Sequence, residues 1–201
     1  MRVVWLNGAL VTEGQAHLSI DDPAVRFGDG LFESIRATDG VVPLLDRHLA
    51  RLDASITALG YAGMPAITDV RRAIIEVAAA CGAGVSKIRA SVTAHPTLLV
   101  EGTPAARPAR PCLSAVTITG AWHPGNRLAE HKTLSVLAWR VAQRQAAAAG
   151  ADTAVLLDAD GHLGEAVGHH ASKFRNRLHH GVGAGVRQGQ VGLSVSGRAA
   201  S

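Results

Sequence analysis

Two amphipathic helix patterns set between strand patterns restrict the fold of this chain more than any other feature. Leu45, Leu49, Leu52, Ile56 and Leu59 recur at spacings of three and four, with Asp46 near the start of the run and Gly60 after it. Val70, Ile74, Val77 and Cys81 repeat the pattern, with Thr68 placed to cap that helix. Before them, Val3 to Val11 reads as a hairpin turning at Asn7-Gly8, because both turn residues tolerate positive φ. Leu31 to Ala37 reads as a strand that turns at Asp39-Gly40 into Val41 to Leu44. After the helices, Ile88, Ala90 and Val92 alternate with polar residues over Lys87 to Thr93. Hairpins, then helices, then a strand predict an α+β fold, not a doubly wound sheet. Gly28-Asp29-Gly30 precedes a strand, which rules out a dinucleotide fingerprint.

Residues 101–111 carry Gly102, Pro104, Pro108 and Pro111 and predict a loop or linker. The expected organisation is two parts, 1–105 and 106–168, divided near residue 105. Within the latter, Leu113 to Thr119 predicts a strand. Thr133 or Ser135 is expected to open a helix that Gly150 ends. Ala154 to Leu157 and His162 to Glu165 form a hairpin across Asp158-Ala159-Asp160-Gly161.

The net charge of +4 is unevenly spread. Residues 169–201 hold Lys173, Arg175, Arg177, Arg187 and Arg198 and no acid, so residues 1–168 carry a net charge of −1. That body has no basic footprint for nucleic acid. No apolar run reaches membrane-spanning length or forms a signal peptide. Cys81 and Cys112, the only cysteines, have no metal-ligand spacing and predict free thiols in a reducing, cytoplasmic setting. The six histidines before residue 169 also lack such spacing, so no metal is expected.

Two residues carry the chemical expectation. Lys132 offers an amine that forms an imine with an aldehyde cofactor. Glu165 offers a carboxylate that holds a proton on a cofactor ring nitrogen. Together they suggest pyridoxal 5'-phosphate.

Four segments, in order, resemble the class IV aminotransferases, the fold type IV pyridoxal-phosphate enzymes. This family includes branched-chain aminotransferase, D-amino acid aminotransferase and aminodeoxychorismate lyase. Phe27-Gly28-Asp29-Gly30-Leu31-Phe32-Glu33-Ser34-Ile35-Arg36 resembles "YGDGVFEGIR". Asp46 to Leu52 resembles "EHxxRL", and His131 to Ser135 resembles "HKTLSYL". Gly150 to Asp158 followed by Gly161 to Glu165 resembles "GADEALLLDxxGxxxE". The resemblance implies a small N-terminal α/β domain, an incomplete barrel-like C-terminal domain and a homodimer. It implies a Schiff-base role for Lys132, a phosphate contact for Arg51 and a ring-nitrogen contact for Glu165. Arg36, Arg89 and Phe27 would line the substrate site. Phe27 stands where the family has tyrosine, and Lys87 where branched-chain enzymes often have tyrosine. His48 is implied as a structural companion of Arg51.

The implied activity is amino-group transfer between an amino acid and a 2-oxo acid. The alternatives are aminodeoxychorismate lyase chemistry, which releases pyruvate, and a non-catalytic remnant. After Gly168 the likeness stops: His169-His170-Ala171-Ser172-Lys173 does not continue the family pattern. A reading-frame slip just after Gly168, or a diverged C-terminus, is expected, with residues 169–201 an irregular basic tail.

Overall fold

Asn7 (φ 46°) and Gly8 (φ 118°) both take positive φ, and they join β1 (Val3–Leu6) to β2 (Ala9–Val11) as the sequence predicts. This hairpin belongs to a computed structural model that describes residues 2–105, 112–119 and 126–167, and the strand at 190–194. Next come α1 (Pro23–Phe27), β3 (Gly30–Thr38), α2 (Leu45–Ala58), α3 (Ile67–Cys81), β4 (Val85–Thr93) and β5 (Leu98–Pro104). The second part holds β6 (Cys112–Thr119), α4 (Leu137–Ala148), β7 (Thr153–Leu157), β8 (Leu163–Ala166) and β9 (Gln190–Ser194). The described residues mix helices and sheets, so the fold class is α+β. None of their helices is long and apolar enough to cross a membrane.

The chain divides into two compact units, one of residues 1–107 with 127–135, the other of residues 108–126 with 136–201. In the first, all strand pairs are antiparallel and the order is β2-β1-β5-β4-β3. Strand alternation turns Leu31, Ile35 and Ala37 of β3, Ile88, Ala90 and Val92 of β4, and Val100 of β5 to one face. Leu49 and Leu52 of α2 and Val70, Ile74 and Val77 of α3 join them in the core. Both helices therefore bury the stripe that the three-and-four spacing predicts. Burying each such side chain stabilises by about 1.5–3 kcal/mol. Trp5 lies in this core, and its indole N–H donates to Glu76 at 2.8 Å.

Three local expectations change. The helix expected to be capped by Thr68 begins at Ile67, with Ala66 as its N-cap and no side-chain cap. The helix expected from Thr133 or Ser135 begins at Leu137. The expected loop at 101–111 starts with strand: β5 runs to Pro104 between β1 and β4. Its glycine serves packing there. A Cβ on Gly102 would stand 2.4 Å from Cys81 Sγ and 2.7 Å from Val77 Cγ1. Pro104, at the strand's last position, interrupts no further pairing.

In the second unit α4 connects β6 to a parallel β7, and β7 turns back into antiparallel β8, giving the order β8-β7-β6-β9. The core is small and alanine-rich, with Ala142 and Ala146 of α4 against Val116, Ala154 and Leu156. Within the tail expected to be irregular, Gln190–Ser194 pairs antiparallel with β6, Leu113 opposite Leu193. The expected break after Gly168 lies outside the described residues.

Candidate active site

Lys132 lies on a short edge strand beside β3. The Phe32 N–H donates to the Lys132 carbonyl at 2.8 Å, and the Leu134 N–H donates to the Gly30 carbonyl at 2.9 Å. Leu31 and Thr133 form the antiparallel bridge between these bonds. Gly30 makes this approach possible: a Cβ there would stand 2.5 Å from the Val92 carbonyl oxygen and 2.8 Å from Leu134 Cδ1. The Ser135 hydroxyl closes the segment, within 3.2 Å of the Gly28 carbonyl. Thr133 and Ser135 thus serve this edge, which is why neither opens α4.

Extended chain alternates its side chains, so His131 and Lys132 diverge. The His131 ring nitrogen Nδ1 lies 3.0 Å from Ser55 Oγ on α2, on the helix side. Lys132 Nζ lies 5.0 Å from the centroid of the Phe32 ring. The Arg89 guanidinium covers the same ring at 3.7 Å. The sum of the two distances bounds the separation of the cationic centres at about 9 Å. Both side chains are half-buried. Burial lowers the Arg89 pKa, and Glu101, opposite it on β5, works against that shift. Arg36 continues this face along β3 and is exposed, directly across from exposed Lys87.

The helix side of β3 has a different electrostatic character. Glu33 alternates with the core residues Leu31 and Ile35 and is only 2% exposed. A carboxylate in that position needs partners. Arg51 supplies two: its Nε donates to Glu33 Oε1 at 2.7 Å and its Nη2 to Oε2 at 2.5 Å. His48, one turn earlier on α2, places Nδ1 2.9 Å from Oε2. Burial pushes the Glu33 pKa up, but the hydrogen bonds and charges of His48 and Arg51 outweigh it and hold the carboxyl below its ordinary range. The hydrogen bond to Glu33 raises the Arg51 pKa. Glu33 carries no role in the sequence reading, although its alternation with Leu31 and Ile35 is a signal that something must pair with it. The companion role implied for His48 has a physical form here: it shares Glu33 with Arg51.

Phe27 ends α1 and is 69% exposed. It lines a cavity of about 520 Å³ with Asp29, Leu59, Tyr61, Leu128 and Thr133. The Tyr61 hydroxyl donates to Asp29 at 2.5 Å. Burial, then that bond, pushes its pKa up to about 12. Tyr61 escapes a reading of the sequence because it falls in no motif, while Asp29 lies in the Phe27 to Arg36 segment without a role assigned to it.

Glu165 is half-buried on β8, opposite Leu156 of β7, in the second unit. In the turn before it, Asp158, Asp160 and His162 each place a ligand-type atom within 4.8 Å of the others. Asp158 accepts from the Asp160 and His162 amides at 3.0 and 2.7 Å, so this cluster builds the hairpin turn.

The family model for amino-transferase class IV matches residues 30–169. The chain belongs to the class IV aminotransferases. A putative branched-chain-amino-acid aminotransferase of Methanocaldococcus jannaschii is 31% identical over 185 residues, covering 82% of this chain and 62% of that protein. A fold IV-transaminase from Curtobacterium pusillum superposes with a TM-score of 0.71 at 24% identity, over 81% of this chain and 66% of that one. A hypothetical aminotransferase from Mycobacterium tuberculosis, in its PLP-bound form, gives 0.69 at 27% identity, over 81% and 64%. The fold is therefore that of the fold type IV transaminases, and this class IV chain spans less than two thirds of the length of each of the three.

Proposed function

We propose that this chain carries pyridoxal-phosphate-dependent transfer of an amino group from an amino acid to a 2-oxo acid, with Lys132 as the amine that holds the cofactor. The observation that carries the proposal is the placement of Lys132. A half-buried amine sits on an edge strand fixed by two backbone hydrogen bonds, beside an aromatic ring and within about 9 Å of a second cation. The Mycobacterium tuberculosis relative, whose structure is a PLP-bound form, supports the choice of cofactor.

By the chemistry of its donors, an amine, a guanidinium and a carboxylate, the residue set suits this group. Arg51 would hold the phosphate. Glu33 occupies its Nε–Nη2 edge, and its Nη1 side has no partner among the described residues. Glu165 would serve the ring nitrogen, where an anion keeps the nitrogen protonated. When bound, pyridoxal phosphate supplies the aldehyde that receives the amino group and a ring that withdraws electrons from the substrate α-carbon. Lys132 Nζ takes the proton from that carbon and returns it. Arg89 and Arg36 attract the substrate carboxylate. Phe27 shapes the cavity mouth without a hydroxyl.

The reading extends to a cytoplasmic homodimer. The free thiol of Cys81 suits a reducing compartment, and Phe27 and Leu128, both exposed, offer apolar surface to a second copy. Adding pyridoxal phosphate to the protein is expected to produce a visible absorption band that borohydride bleaches irreversibly and that Lys132→Ala lacks. A protein that stays colourless with excess cofactor, or a band that persists in Lys132→Ala, would overturn the proposal.

A further inference from the structure

His131 and Lys132 leave the edge strand on opposite sides, and His131 makes a contact that the core does not need. Its ring nitrogen Nδ1 lies 3.0 Å from Ser55 Oγ. Ser55 is 5% exposed and lies beside Leu52 on the buried stripe of α2. An alanine there would continue the stripe with better helix propensity and no polar group to satisfy. The buried hydroxyl instead requires a partner, and the partner comes from 76 residues away in the sequence. Hydroxyl and imidazole can each donate or accept, so the contact survives a change in the protonation of His131.

This contact closes a triangle of three elements of the first unit. The edge strand is tied to β3, because the Phe32 N–H donates to the Lys132 carbonyl at 2.8 Å. β3 is tied to α2, because Glu33, the residue after Phe32, accepts both bonds from Arg51. α2 is tied back to the edge strand by Ser55, about one helical turn after Arg51, and by His131, the residue before Lys132. Backbone bonds along one edge fix the distance of the lysine strand from β3 but leave its tilt about that edge open. The third tie fixes the tilt.

Resting on the function proposed above, we infer that His131 is a positioning residue: through Ser55 it ties the lysine strand to the helix that carries Arg51, and so sets the Lys132 amine at a fixed place relative to that guanidinium. His131 itself touches no reacting atom. Its role is spacing. A cofactor gripped by its phosphate on α2 and by its aldehyde on the edge strand spans two elements, so the separation of those elements matters. A misplacement of about 1 Å between such points is enough to cost on the order of a hundredfold in rate.

The test uses the full chain, without and with pyridoxal phosphate. Ser55→Ala removes the hydroxyl and leaves a residue suited to a buried helix position. His131→Leu removes the ring nitrogens, whereas His131→Asn keeps a polar group near the place of Nδ1. Without cofactor, amide hydrogen exchange is followed at Phe32 and Leu134, the donors of the two bonds that hold the lysine strand. Ser55→Ala and His131→Leu are each expected to speed exchange at these two amides about fivefold, the scale of one lost hydrogen bond, with the amides of β4 and β5 unchanged. His131→Asn should restore most of the protection. With cofactor, the same two variants should lower kcat about tenfold or more at little change in KM, because the amine is displaced and the substrate contacts are not. The double variant should be no worse than either single one, since both break the same contact. Unchanged exchange at Phe32 and Leu134 would overturn the inference, as would effects of the two substitutions that add. A uniform rise across the whole sheet would overturn it too, because the contact would then support the fold at large. A wild-type chain that stays colourless refutes the proposed function, while the exchange measurement still decides whether His131 fixes the lysine strand.

Discussion

The two faces of β3 use arginine in opposite ways. Toward the helices, Arg51 meets Glu33, and a buried carboxylate, a fork of N–H groups and His48 satisfy one another. Toward the open side, Arg36 meets Lys87, and neither finds an acid among the described residues. The first arrangement holds the fold together and orients a side chain. The second costs the fold a little. An arginine's type does not reveal its role; the sign of what faces it does.

Breaking the satisfied face should have the largest effect. Glu33→Ala leaves Arg51 and His48 without their shared carboxylate. Denaturant unfolding is expected to show a loss of about 3 kcal/mol, the low end for a broken buried pair, because the Arg51 side chain is 42% exposed. A loss below about 1 kcal/mol would mean that solvent already satisfies Arg51.

The same face predicts a pH dependence. The Glu33 carboxyl titrates below its ordinary value of 4.5 in the folded chain, so between the two values the unfolded chain binds more protons. The stability it contributes is complete above 4.5 and is lost as pH falls through the folded value. Melting curves of Glu33→Gln should show a shallower acid slope than wild type. Parallel slopes would remove Glu33 from the acid response.

A smaller signal comes from the cavity beside the edge strand. Tyr61 is the chain's single tyrosine, so phenolate absorption reports one group. Its midpoint is expected near 12 in the folded chain and near the ordinary 10 in denaturant. Since the raised pKa favours the neutral phenol in the fold, this contribution is present below 10 and lost as pH rises through 12. Asp29→Asn should bring the folded midpoint downward, and an unmoved midpoint would leave burial as the sole cause.

The smallest effect belongs to the unsatisfied face. Arg36→Gln without ligand should change unfolding free energy by no more than about 0.5 kcal/mol, and toward stability if at all. A clear loss would show that Arg36 has a structural partner and would erase the contrast between the faces.

How far the sequence reaches follows the range of the interactions. Asn7-Gly8 and Asp39-Gly40 announce their turns because the signal is local, and all four residues take positive φ. The stripes of α2 and α3 are legible because helical spacing repeats. β5 stays hidden, since Gly102 and Pro104 have the composition of a loop while the reason for the glycine, Cys81 and Val77 of α3, lies far away in sequence. The edge strand at 132–134 stays hidden for the same reason: its partner is β3, about a hundred residues earlier. The family pattern draws attention to Lys132 and Arg51, but it does not show that Phe32 lies under the first and that Glu33 engages the second.

Gly30 gives the molecule a vulnerable point at a residue that has no side chain. A single methyl group at that position would collide with Leu134 and the Val92 carbonyl, and the edge strand would have to shift to relieve it. The amine two residues before Leu134 would move with it. An alanine at position 30 would therefore look in an assay like damage to the chemistry, although the fault would be one of placement.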